Sequence, residues 1–245
     1  MFEKNLIKFD IIDSTNKYLK QNVSSLKSGT VVDAKSQTNG YGRKNRIWFD
    51  NGVNNLSFSV LLKLPIKNDL PVLTQAVAAA ITNTLDLLGL YAEIKWPNDI
   101  IISGKKVAGI LLETIINDDI ANVIIGVGLN VNSTMFNDEI KHIATSLLIE
   151  SNQKHNLDYL RDIIVNNIFS NVLKYMNDDY SFLDICRKRS FLIGKKVFLD
   201  GDTSKEALVS GIDQLGRLVV LINNKEEKFY GSEVSLKGVY SQGEK

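Results

Sequence analysis

The chain has 245 residues, and its 29 lysines and arginines against 28 acidic residues leave a net charge of +1, which removes any general electrostatic case for a nucleic-acid or anionic-lipid partner. With 44% apolar and 23% charged residues it reads as a folded protein of one to two domains and not as a disordered one. Glu3, Lys4, Lys8, Asp10 and Asp13 leave no apolar core for a signal peptide. Polar residues from Thr74 to Asp86 interrupt the stretch 70–90, so no membrane span is predicted and a cytoplasmic location is expected. The single cysteine, Cys186, excludes an internal disulfide, and no Cys or His cluster has metal-ligand spacing, so no dedicated metal site is expected.

In chain order, residues 5–12 are rich in β-formers, and Asp13, Ser14, Thr15 and Asn16 offer N-caps for a helix to about Asn22. A second strand is predicted over 30–37, then a long loop over 38–55 that lacks either periodicity. Leu56, Phe58, Val60, Leu62 and Leu64 alternate with Ser57, Ser59 and Lys63, the pattern of a half-buried strand that Pro65 ends. A helix with Pro71 in its first turn and closely spaced alanines follows, closing at Gly89.

Three strands are predicted next, over 92–102 with an interruption at Pro97 and Asn98, over 106–116 and over 121–131, joined by turns that imply antiparallel pairing. Leu160, Ile163, Ile164, Ile168 and Val172 make one stripe of a helix from Leu157 to Met176, and a shorter helix runs through Leu183 and Cys186. From 195 to 240 only short strands with Gly and Asn turns remain, which reads as a small barrel. The fold class expected is α+β: a mixed, largely antiparallel sheet with helices over 1–190 and a small β-barrel over 191–245.

Four constellations carry possible chemistry. The loop Gly40-Tyr41-Gly42-Arg43-Lys44-Asn45-Arg46 joins glycines that permit close backbone approach to clustered cations, which suits a phosphate, although a solvated charged loop is the plainer account of these residues alone. Lys95-Trp96-Pro97-Asn98-Asp99 puts charge at a break between apolar strand halves; its bland counterpart is a polar turn. Lys106 opens an apolar strand in which Ala108 and Gly109 leave room for a ligand against the sheet. Gly126-Val127-Gly128-Leu129-Asn130-Val131-Asn132 ends a buried strand with two small residues and two amides.

Taken together these stretches resemble the biotin protein ligase family. Ser-Thr-Asn at Ser14, Gln37 before a GxGRxxRxW-type loop from Gly40 to Trp48, KWPND from Lys95, Lys-x-Ala-Gly-Ile-Leu from Lys106 and GxGLNVN from Gly126 stand here in the family's order. Two positions depart from the pattern: family members often carry Arg where Tyr41 stands and Gly where Asn45 stands, and Asn is the non-glycine residue best able to keep a left-handed turn.

The resemblance implies a synthetase-like catalytic domain of the class II aminoacyl-tRNA synthetase type with an SH3-like C-terminal barrel. It implies that biotin and ATP, with Mg²⁺ carried on the phosphates, give biotinyl-5′-AMP and pyrophosphate, and that a lysine of a biotin carboxyl carrier domain then takes the biotin. For biotin it points to Ser14, Thr15, Asn16, Gln37, Gly40, Tyr41, Gly42, Arg43, Lys106 and Gly109. For ATP it points to Arg43, Arg46, Trp48, Asn98, Lys106, Asn130 and, near the end of the last barrel strand, Lys237.

Arg43 and Lys106 are the cations expected at the reacting centre, with Lys95 in support and Asp99 as a base or a structural bond. A lipoate or octanoate ligase of the same fold is the alternative, against which the KWPND and Lys-x-Ala-Gly-Ile-Leu stretches speak. Only thirteen residues precede Ser14, too few for an N-terminal winged helix, so a monofunctional enzyme that binds no DNA is expected, as a monomer or weak homodimer.

Overall fold

The computed structural model describes residues 2–49, 52–199, 206–231 and the backbone of 236–237. Strands β1 (Asn5–Ile12), β2 (Thr30–Gln37), β3 (Leu56–Pro65), β4 (Glu93–Lys95), β5 (Asp99–Ile102), β6 (Lys105–Asn117) and β7 (Ile120–Leu129) form one sheet in the order β1-β2-β3-β7-β6-β5-β4. Helix α1 (Thr15–Gln21), capped by Ser14, is the crossover that lets β1 and β2 pair in parallel. All other neighbours are antiparallel, as short turns require.

The two faces of this sheet are covered unequally. On one, α2 (Leu73–Asp86) packs with α4 (Leu157–Met176) and α5 (Phe182–Lys188). Ala76, Ala78, Ala79 and Ala80 are fully buried, and side chains this small let the helix axis approach its neighbours closely. Leu73, Val77, Ile81 and Leu85 add the large apolar payload, each contributing about 1.5–3 kcal/mol by burial. On the other face α1 places Leu19 against Val32, Leu61 and Ile124. Being only seven residues long, it leaves the remainder of that face to a different use.

Two strand expectations need correction. β3 is buried continuously from Leu56 to Leu62, serines included, because both sides of the sheet are covered here; alternation of residue type marked the difference between the two sides and not exposure. The break in 92–102 is a reversal: β4 and β5 form a hairpin through a cis Trp96–Pro97 peptide, bringing Lys95 opposite Asp99.

A second sheet follows, built from β8 (Lys196–Leu199), β9 (Glu206–Ile212), β10 (Leu218–Ile222), β11 (Lys225–Phe229) and β12 (Leu236–Lys237), antiparallel in the order β11-β10-β9-β8-β12. Its Val197, Leu199, Val209, Ile212 and Val220 belong to the same apolar cluster as the α2 face. Polar contacts also join the sheets: Trp96 Nε1 donates to the Gly216 carbonyl at 3.0 Å, and Arg187 donates to the Ile212 carbonyl at 2.9 Å.

Candidate active site

The sheet face that α1 leaves bare opens into a cavity of about 330 Å³. Strand periodicity selects what faces it: Gly109 and Leu111 from β6, and Gly126 and Gly128 from β7. Ala108 is fully buried in the opposite, helix-packed core, so of the two small residues expected to make room for a ligand only Gly109 faces the cavity. The Trp48 indole lies against two of these glycines, Gly109 and Gly128. A Cβ on Gly109 would come within 3.1 Å of Trp48 Cζ3, and one on Gly128 would fall inside the indole's van der Waals envelope.

Periodicity alone would turn Lys106 into the core with Ala108. A bulge prevents this: Ile100 pairs with Ala108 but Ile101 pairs with Lys106, leaving Val107 as the extra residue. The Lys106 side chain is thereby aimed to the Gly109 side, where its ammonium meets Asp99 at 2.7 Å and stands 5.5 Å from the Trp48 ring centroid. The backbone of Lys106 is also bridged to Ala144.

One end of the cavity is a hydrogen-bonded set of neutral groups. Gln37 Oε1 accepts from the Thr15 backbone N–H at 2.9 Å and from its hydroxyl at 3.1 Å. The Thr15 hydroxyl lies 2.6 Å from that of Ser59, which donates to Asn16 Oδ1 at 2.5 Å. Ser14 Oγ caps α1 by accepting from Lys17 N–H. Gly126 exists for Asn16, since a Cβ there would overlap the Asn16 carboxamide.

The other end is cationic. The loop from Gly40 folds back on itself, with Tyr41 bridged to Ile47 and a 3-10 turn over Arg43–Asn45 in which Lys44 and Asn45 both have φ of 56°. Asn45 does adopt the left-handed conformation expected of it. Arg43 donates to Asn98 Oδ1 at 3.1 Å and to the Gly231 carbonyl, and burial lowers its pKa. Asn98 is held in turn by its Nδ2 on the Ile110 carbonyl at 3.1 Å, and buried Asn130 by its Nδ2 on the Thr145 carbonyl at 3.0 Å. Burial also brings Lys95 down to about 8, with Asp99 opposing the shift.

Of the residues that the resemblance assigns to biotin, ATP or the reacting centre, all but three line this cavity. Gly40 is buried beneath the loop and accepts a hydrogen bond from Trp48 N–H at 3.0 Å. Lys95 stands behind the lining on β4. Lys237 has its backbone in β12 opposite Phe198, and its side chain lies outside the described residues. Sequence reading missed Ser59, Lys20 and Glu113. Glu113 had a signal: it is a charged residue in register with Gly109 and Leu111, on the inward side of an apolar strand.

Trp48 Nε1 is buried with no hydrogen-bond partner among the described residues. Such a donor is expensive to leave unmade, and it marks the ring as part of a surface that a ligand completes. Gly128→Ala is expected to unseat the ring and shift the Trp48 emission towards that of a water-exposed indole. Trp96, the other tryptophan, stays 2% exposed and supplies a constant background. An emission spectrum equal to that of the parent would refute this account of Gly128.

Comparison with known proteins bears on the same residues. The profile of the Biotin/lipoate A/B protein ligase family matches residues 8–130. The bifunctional ligase/repressor BirA of Bacillus subtilis is 32% identical over 245 residues, covering 95% of this chain and 74% of its own. The biotin--[acetyl-CoA-carboxylase] ligase of Mycobacterium tuberculosis is 28% identical over 210 residues, covering 80% and 75%. Among solved structures, the biotin protein ligase of Aquifex aeolicus in complex with biotin and ATP superposes with a TM-score of 0.86 at 27% identity, covering 96% of this chain and 99% of its own. The chain belongs to the biotin/lipoate A/B protein ligase family, among its biotin protein ligases.

Proposed function

We infer that the protein catalyses ATP-dependent biotinylation of a carrier-protein lysine. The observation that carries this reading is a single cavity with a neutral, hydrogen-bonding end at Thr15, Asn16 and Gln37 and a cationic end at Arg43, Arg46 and Lys106. A neutral ring and a carboxylate on one small molecule need both ends at once. In the first step a carboxylate oxygen attacks the α-phosphorus of ATP, a new P–O bond forms, and the bond to pyrophosphate breaks. Two anions must meet, so Arg43 and Lys106 are assigned to hold them together. In the second step a lysine Nε attacks the acyl carbon, AMP leaves, and the amine loses a proton.

Asp99 is assigned to hold Lys106 and not to act as the base, because its carboxylate already meets that ammonium at 2.7 Å. Lys95, with its lowered pKa, adds positive potential from behind. Trp48, Asn98 and Asn130 are assigned to the nucleotide side, the two amides by fixing Arg43 and the segment at Thr145. Ser14, Gly40 and Gly42 are assigned to the biotin side through the backbone they shape, and Lys237 to the nucleotide. Residues 1–190 are proposed as the catalytic domain and 191–245 as its C-terminal domain. Magnesium enters as part of the nucleotide substrate. The partner is proposed to be a biotin carboxyl carrier domain, met in the cytoplasm by a monomer or weak homodimer.

Incubation with ATP, labelled biotin and a biotin-acceptor domain tests this. The expected result is biotin-dependent pyrophosphate exchange and label on the acceptor. Exchange that depends on lipoate or octanoate and not on biotin would transfer the protein to the alternative ligase.

A further inference from the structure

Glu113 and Lys20 fall in none of the recognised motifs, and neither lines the cavity. Nevertheless the Glu113 carboxylate receives three hydrogen bonds, from Asn16 Nδ2, the Tyr41 hydroxyl and Lys20 Nζ, each at 2.9 Å. Asn16 and Tyr41 do line the cavity. Burial opposes the negative charge, and the three donors together outweigh it and hold the carboxyl below its ordinary range. The Tyr41 pKa is pushed up, by burial and by Glu113, so its phenol keeps its proton.

Tyr41 has one hydroxyl proton, and it is committed to Glu113. Lys20 also lies near the phenol oxygen, which has two lone pairs and so keeps accepting capacity for a ligand. Asn16 Oδ1 accepts from the Ser59 hydroxyl and one Nδ2 hydrogen goes to Glu113, so the amide keeps one N–H to give and one oxygen lone pair to accept with. Towards the cavity, then, Asn16 keeps both roles and Tyr41 can only accept.

We propose that Glu113, neutralised by Lys20, is a positioning residue that fixes Tyr41 as a hydrogen-bond acceptor and so selects a neutral head group carrying an N–H. The inference rests on the ligase reading, for the ring urea of biotin carries an N–H and neither a dithiolane nor an alkyl chain does. Lys20 matters because a bare carboxylate behind the wall would favour a cationic head group; paired, the two cancel. Replacing Glu113 by Gln would put an amide N–H among three donors and free the Tyr41 proton to rotate, so that Tyr41 is no longer fixed as an acceptor.

The test is calorimetric binding of biotin, without ATP, to the full chain and to Tyr41→Phe, Glu113→Gln, Lys20→Met and the Tyr41→Phe/Glu113→Gln double variant. Tyr41→Phe is expected to raise the biotin Kd about 10-fold. The double variant is expected to be no weaker than Glu113→Gln alone, since both changes remove one coupled interaction. In the exchange assay the KM for biotin is expected to rise in each variant while the KM for ATP stays at the parent value, a split that loosened packing would not produce.

Biotin binding by Tyr41→Phe within twofold of the parent, or parallel rises in both KM values, would overturn the inference and leave the ligase reading intact. A parent chain that shows no biotin binding would overturn both. Should Glu113→Gln not fold, Tyr41→Phe decides alone, because it removes one oxygen from a ring that remains packed.

Discussion

Arg43→Ala should lower biotin-dependent pyrophosphate exchange by about 10²- to 10³-fold and let biotinyl-AMP escape into solution. Arg43 holds a half-buried cation against two neutral oxygens, Asn98 Oδ1 and the Gly231 carbonyl, with no carboxylate at ion-pair distance among the described residues. Asp99 offsets its charge only at longer range, and burial raises the strength of whatever anion contact it makes. Loss of the side chain removes stabilisation of charge developing at the α-phosphate and the counter-charge of the adenylate afterwards. Arg43→Lys should recover part of the rate, since it keeps the charge and loses the two-point contact. Normal exchange and normal retention of the adenylate in Arg43→Ala would remove Arg43 from the reacting centre.

Lys106→Ala should depress the same first step by about 10²-fold and raise the KM for biotin with it. The bulge at Val107 aims Lys106 at the cavity, and the pair with Asp99 holds its ammonium in place. Rapid mixing separates the two chemical steps. Intact adenylation with slowed transfer to the acceptor would show that the lysine serves the carrier amine and not the carboxylate of biotin.

Much of the scaffold was legible because its residues have only one comfortable arrangement. Helix α4 begins and ends where periodicity predicts, and the Ser14 cap lies where the strand-to-helix junction was read. Burial was less legible. Ser57 and Ser59 look like an exposed strand face, and only the arrival of α1 and Thr15 from elsewhere in the chain covers them. Local pattern was also blind to direction. Pro97 and Asn98 register as an interruption, yet nothing in one segment says that the halves fold back on each other. Lys106 was identified by motif, but the face it occupies depends on a one-residue mismatch with β5 that no single strand contains. Glu113 was passed over because a lone acid among apolar residues has no meaning until Lys20, Asn16 and Tyr41 meet it.

The glycines under Trp48 change what their motif can testify to. Gly128 is small because an indole from the same polypeptide rests on it, and Gly126 because Asn16 does, while Gly109 lies under both Trp48 and the Lys106 side chain. The pressure on these positions thus comes from inside the molecule and acts whether or not a substrate ever arrives. A descendant that lost its cations and its activity would still need Gly126 and Gly128, and a relative serving another acyl group would keep them for the same reason. Any lineage that enlarged Gly128 would have to shrink Trp48 in step, so the two positions should drift as a pair while Arg43 and Lys106 drift with the chemistry.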